Sequence, residues 1–153
     1  MKKEDIKTLY EMMYNLNKIA EDNNIQYFLF GSTLDSVVKV KGIIPDENKI
    51  YVGFLKEDLG KILNILSLFS NCGYRFNKPK NEQDKQTYSL TKGNVSVIMV
   101  MFRKWGQNYK IDDWEVERDF PNSKIKKSDL LPLKKVELGV LSLKVPKKYK
   151  RYL

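Results

Sequence analysis

Histidine is absent from the 153 residues, and cysteine occurs once, at Cys72. Without imidazole the chain lacks the commonest general base, the imidazole metal ligands and the usual partner of a serine or cysteine nucleophile. A single thiol excludes an internal disulfide and a multi-thiolate zinc site within one chain, which leaves Cys72 a packing role. No apolar run approaches the roughly 20 residues of a membrane-spanning helix. The opening MKKEDIKTLYEMM is too charged and too amphipathic for a secretory signal. A cytoplasmic protein with no transmembrane segment is expected. Internal repeats and linker-like stretches are also missing, so residues 1–153 are expected to form a single domain.

Positive charge is abundant, with 28 Lys and Arg against 19 Asp and Glu and a formal net charge of +9. Anionic nucleotides, phosphosugars, acidic membrane surfaces and nucleic acid all suit that sign. The charge is spread along the chain, and its densest runs are KSDLLPLKK from Lys127 and the terminal KVPKKYKRYL. Such runs also serve as solvated faces.

Ile6, Leu9, Tyr10, Met13, Leu16, Ile19 and Ala20 recur at helical spacing and predict a long helix from Lys2 to about Asn23. Ile25 to Phe30 reads as a strand ending at Gly31-Ser32, where a tight turn and a short helix to about Val40 begin. The loop KGIIPDEN leads to a second strand, Lys49 to Phe54. A helix then follows from Lys56, turning Leu59, Ile62, Leu63, Leu66 and Phe69 inward and closing at Gly73. Tyr74 to Gln86 reads as an exposed loop. QTYSLT and VSVIMVMF form a hairpin around Lys92-Gly93-Asn94, the second strand being apolar enough for the middle of a sheet. Residues 105–124 read as irregular with one short strand. A hairpin turning at Gly139 and a short terminal helix complete the chain.

A Gly-Ser turn at the mouth of a helix offers backbone N–H groups, a hydroxyl and the positive end of a helix dipole, which together suit a phosphate. Ser32 as a simple helix cap is the plainer alternative. The run Phe30-Gly31-Ser32-Thr33-Leu34, with Lys39, Lys41-Gly42, Ile43-Ile44-Pro45 and Gly53 at their spacing, resembles the LicD and fukutin group of nucleotidyltransferase-fold enzymes. Leu131-Pro132-Leu133, Val145-Pro146 and Tyr152-Leu153 match it more loosely. The resemblance implies an α/β (α+β) fold, a nucleotidyltransferase-like mixed β-sheet flanked by helices. It also implies transfer of a phosphocholine or phosphopolyol group from a CDP-linked donor, assisted by Mg²⁺ or Mn²⁺. In that family two aspartates one residue apart on the second strand, and a third carboxylate from a later strand, hold the metal.

On this pattern Lys49 and Tyr51 stand where the two aspartates belong, and the third position falls at Met99, Val100 or Met101. No Asp-x-Asp or Asp-x-Glu pair occurs between Ile43 and Phe54. An ammonium about 4 Å from a divalent cation repels it by roughly 8 kcal/mol at an effective dielectric of 20. The expected protein is therefore a degenerate member: a pseudoenzyme that at most binds a nucleotide, phosphosugar or protein partner, with no cofactor. Gly31, Ser32, Thr33, Lys39 and Lys49 are its candidate phosphate contacts, although Lys49 also fits an exposed place on the sheet rim. An active transferase is the first alternative and would draw its metal ligands from Asp46 and Glu47, otherwise solvated loop acids, or from Asp112 and Asp113. The second alternative is a basic nucleic-acid-binding protein using KKYKRY, with Tyr149 and Tyr152 stacking on bases.

Overall fold

Leu9, Met12, Met13, Leu16 and Ala20 lie three and four residues apart, and that spacing builds one apolar face on the first helix. In the computed structural model, which describes residues 2–79 and 87–153, these five side chains are buried along helix α1 (Lys3–Asp22). They pack on a seven-stranded mixed sheet. Its strands are β1 (Tyr27–Leu29), β2 (Lys49–Leu55), β3 (Arg75–Asn77), β4 (Tyr88–Lys92), β5 (Val95–Trp105), β6 (Asn108–Ile111) and β7 (Ile125–Lys126). The order is β1-β2-β5-β4-β3, with β6 on β5 and β7 on β6.

β2 and β5 run parallel, Lys49 beside Ser96 and Leu55 beside Phe102, and every other pair is antiparallel. β5 is the central strand that its composition predicts. One edge carries β2, and the other carries β4 and then β6. Alternation sends Val97, Met99 and Met101 into the core under α1, and Val100 and Phe102 into a second core on the opposite face. There Phe28 and Phe30 each meet Phe102 edge to face at about 5 Å. Gly53 is required between them, since an added Cβ would lie 2.6 Å from the Phe28 ring.

Short segments carry the chain between strands. α2 (Gly31–Asp35) runs into a π-helical turn, Ser36–Val40, which Lys41 ends with φ 63. Leu34 and Val37 are buried as their spacing predicts, and Val38 is half-buried. The helix expected from Lys56 to Gly73 is divided: a 3₁₀ turn Lys56–Asp58, then α3 (Leu59–Asn64) and α4 (Leu66–Asn71). Ile65 (φ −121, ψ 23) breaks the ladder, so the stripe is interrupted. Ile62 and Phe69 are buried, Leu59 and Leu66 half-buried, and Leu63 faces solvent. Gly73 closes α4 with φ 85.

The expected loop from Tyr74 contains β3, and its part 80–86 lies outside the described residues. The expected irregular region holds β6, α5 (Trp114–Asp119) and the approach to β7. α6 (Lys127–Leu130) leads to the hairpin β8 (Lys134–Leu138) and β9 (Leu141–Val145), which is separate from the main sheet. The chain end forms one 3₁₀ turn, Tyr149–Tyr152. Among the described residues no helix is long and apolar enough to cross a membrane.

Candidate functional site

The start of α2, the middle of β2, the loop after α5 and the chain end enclose a cleft of about 660 Å³. Gly31 opens α2 with φ 59, a conformation open to glycine at little cost. Phe30 holds the N-cap position with no side-chain cap, so Ser32 lies within the first turn and its side chain lines the cleft. Thr33 is buried, and its hydroxyl accepts the Tyr51 N–H at 3.4 Å, tying α2 to β2.

Tyr51 lines the cleft and meets Phe120 edge to face, with ring centroids 5.0 Å apart. Lys49 sits two residues earlier, exposed at the beginning of β2 and outside the lining. Its N–H donates to the Asp46 carbonyl at 2.9 Å, and the Asp46 N–H returns a bond of equal length. The two residues between, Glu47 (φ 50) and Asn48 (φ 65), both take left-handed conformations, the signature of a type I′ turn. Asp46 lines the cleft, whereas Glu47 stands exposed at the turn. Lys39 is also outside the lining and lies 3.8 Å from Asp35.

Beside Tyr51 on β5 stands Ile98, and beyond it Met99, Val100 and Met101 are all buried. The donors at the two β2 positions are thus an ammonium and a phenol, which do not suit a divalent cation. Among the described residues no three acidic or thiol side chains are grouped so as to hold one. Asp112 pairs with Lys56 at 2.6 Å and Arg103 at 3.4 Å, while Asp113 caps α5 by accepting the Glu115 and Val116 N–H groups. These acids serve the fold, Asp112 through its two ion pairs and Asp113 as a helix cap.

Asp35, Asp119 and Phe120 are among the cleft residues that escaped the sequence reading. Asp35 contributes a carboxylate whose Oδ1 is enclosed without a hydrogen bond. Asp119 and Phe120 arrive from the end of α5. Asp35 carried a faint signal, four residues before Lys39 in a helical segment, but residues 105–124 have no periodicity that could have placed Phe120. Among the described residues the lining contains three aspartates and neither lysine nor arginine.

The cleft's far wall is held by the chain end. The Tyr152 hydroxyl donates to Asp129 at 2.6 Å and accepts the Lys126 N–H at 3.2 Å. The bond from Tyr152, opposed by burial and helped by Arg151 and Lys148, holds the Asp129 carboxyl below the usual range. Burial and the same bond push the Tyr152 phenol up. Tyr149 packs against the larger core. Of the two tyrosines proposed for base stacking, Tyr152 is hydrogen-bonded within the protein and Tyr149 is half-buried.

The model of the LicD/FKTN/FKRP nucleotidyltransferase domain matches residues 24–148. The uncharacterized protein RT0683 of Rickettsia typhi is 27% identical over 139 residues, covering 91% of this chain and 42% of its own. Protein RP689 of Rickettsia prowazekii is 26% identical over 140 residues, covering 91% and 50%. The chain thus spans about half the length of these curated relatives. Among solved structures, the antibiotic-resistance factor ANT(2'')-Ia in solution superposes with a TM-score of 0.51 at 13% identity, over 70% of this chain and 54% of its own. Its crystal structure with adenylyl-2''-tobramycin gives 0.50 at 14% identity, over 69% and 56%. At that identity the likeness establishes a nucleotidyltransferase fold, and with the domain match over 24–148 the chain belongs to the LicD/FKTN/FKRP nucleotidyltransferase-domain family.

Proposed function

We propose that this domain has lost metal-dependent transfer and that its cleft binds without reacting, taking a nucleotide, a phosphosugar or a protein partner. The reading rests on the resemblance, which puts Lys49 and Tyr51 where the family's metal-binding aspartates stand, and it is supported by one observation: Tyr51 on β2 lies beside Ile98 on β5, with no carboxylate at either place. A lysine there opposes a divalent cation by several kcal/mol, on the order of the roughly 8 kcal/mol of two such charges at 4 Å. The lining supports a protein surface over a bare phosphate, because three aspartates with no lysine or arginine repel an anion. Calorimetric titration with CTP, CDP-choline and CDP-ribitol, each with and without Mg²⁺ or Mn²⁺, tests it. Binding that ignores the metal, or no nucleotide binding at all, is expected; metal-dependent binding with turnover overturns the reading.

A second reading, an active transferase moving a phospho-group from a CDP-linked donor to a glycan, is favoured by Asp46, which lines the cleft with Ser32. It requires carboxylates to converge on one ion from new positions. If it holds, Asp46→Asn with Glu47→Gln abolishes turnover; unchanged turnover removes it.

A further inference from the structure

The cations that the cleft lacks are gathered elsewhere. Lys134 and Lys135 from the start of β8 meet Lys147, Lys148, Lys150 and Arg151 from the chain end around a shallow notch of about 380 Å³. Strand pairing brings the two segments together: Lys134 lies opposite Val145, so residues 147–151 emerge beside the base of β8. Neither segment shows this convergence in the sequence, where eleven residues separate Lys135 from Lys147.

Half of this charge is neutralised by the fold. Lys135 pairs with Glu21 at 3.5 Å, and Lys148 and Arg151 lie 3.8 and 3.2 Å from the buried Asp129. The side chains of Lys134, Lys147 and Lys150 have no ion-pair or hydrogen-bond partner among the described residues. Like charges held around a concavity raise the local potential, and a multivalent anion relieves several repulsions in one event. Lysine ammonium groups are compact donors on flexible stems, suited to phosphate oxygens arriving from varied directions. One aromatic, Tyr149, also lines the notch, half-buried against the core, and Tyr152 is bound to Asp129.

We propose that this notch is a binding site for a multiply charged, phosphate-bearing group, separate from the cleft. The group is either a soluble polyphosphate-type anion or the clustered headgroups of an anionic lipid surface. The full chain is titrated with sodium tripolyphosphate, and in parallel sedimented with phosphatidylcholine vesicles with and without phosphatidylglycerol. The test variant is Lys134→Gln/Lys147→Gln/Lys150→Gln, which leaves the Asp129 and Glu21 pairs intact; its thermal midpoint verifies folding.

Binding of either probe should weaken on the order of tenfold or more in the triple variant and fall steeply with salt. Asp46→Asn in the cleft should leave it unchanged. Tripolyphosphate binding identifies a soluble source, and binding confined to phosphatidylglycerol vesicles identifies headgroups; both support the site. Equal binding by wild type and triple variant, no binding of either probe, or binding of an RNA duplex with neither probe bound overturns it.

Discussion

Tyr51 contributes a ring that the surrounding structure uses. Its backbone N–H reaches Thr33 and its ring packs against Phe120, so the position now holds the cleft wall together. Thr33→Val removes the acceptor for that half-buried N–H and should cost about 0.5–1.5 kcal/mol, read as a lower denaturant midpoint with an unchanged slope. Gly53 is more demanding. A methyl group there would press on the fully buried Phe28 and Phe102 rings, so Gly53→Ala should destabilise by about 1–3 kcal/mol in the same experiment; a neutral result would mean the rings move aside freely.

Between residues and domain, the turn at Asp46–Lys49 offers a test in the opposite direction. Glu47 and Asn48 hold positive φ that Asn-Gly adopts more readily, so Glu47→Asn/Asn48→Gly should raise stability by roughly 0.5–1 kcal/mol. A lower thermal midpoint would contradict the type I′ assignment. Elements with strong patterns were legible from the chain alone: α1 from its 3.6-residue stripe, β5 from its apolar run, and the β8–β9 hairpin from alternation around Gly139. The helix break at Ile65 was not, because the stripe from Leu59 to Phe69 continues through it and only tertiary packing decides against a single helix. Within residues 105–124 one short strand was expected and β6 supplies it, but its place was not read, and α5 and the adjoining β7 were missed, for a related reason. Each is too short to show a period, and β6 and β7 are set by pairing partners far away in the chain. For the cleft, the chain alone pointed to Gly31, Ser32, Asp46 and Tyr51, which share it; Thr33, buried behind it, and Lys39, Lys49 and Glu47 stand outside the lining, and the walls at Asp119 and Phe120 depended on those unread elements.

The molecule as a whole combines a negatively lined cleft with a positive exterior, and the chain end links the two. Asp129 anchors Tyr152, which lines the cleft, and Arg151, which lines the basic notch. Its carboxyl is held below the usual range by the Tyr152 bond and the neighbouring cations. A depressed folded-state value contributes stability above the unfolded value near 3.9, and that contribution disappears as pH falls through the folded value. The stability difference between wild type and Asp129→Asn should therefore be greatest from neutral pH down to about pH 5 and shrink below about pH 4. Thermal midpoints across that range check it, and a difference that grows on acidification would contradict the assignment.

We propose a nucleotidyltransferase fold in which Lys49 and Tyr51 stand in place of a divalent-metal site. The most direct measurement is the free Mn²⁺ signal by electron paramagnetic resonance as the protein is added, with and without CTP. The account predicts no loss of signal beyond that caused by CTP alone. A one-to-one loss on adding the protein, removed by Asp46→Asn, would contradict it and restore metal-dependent transfer as the function of the cleft.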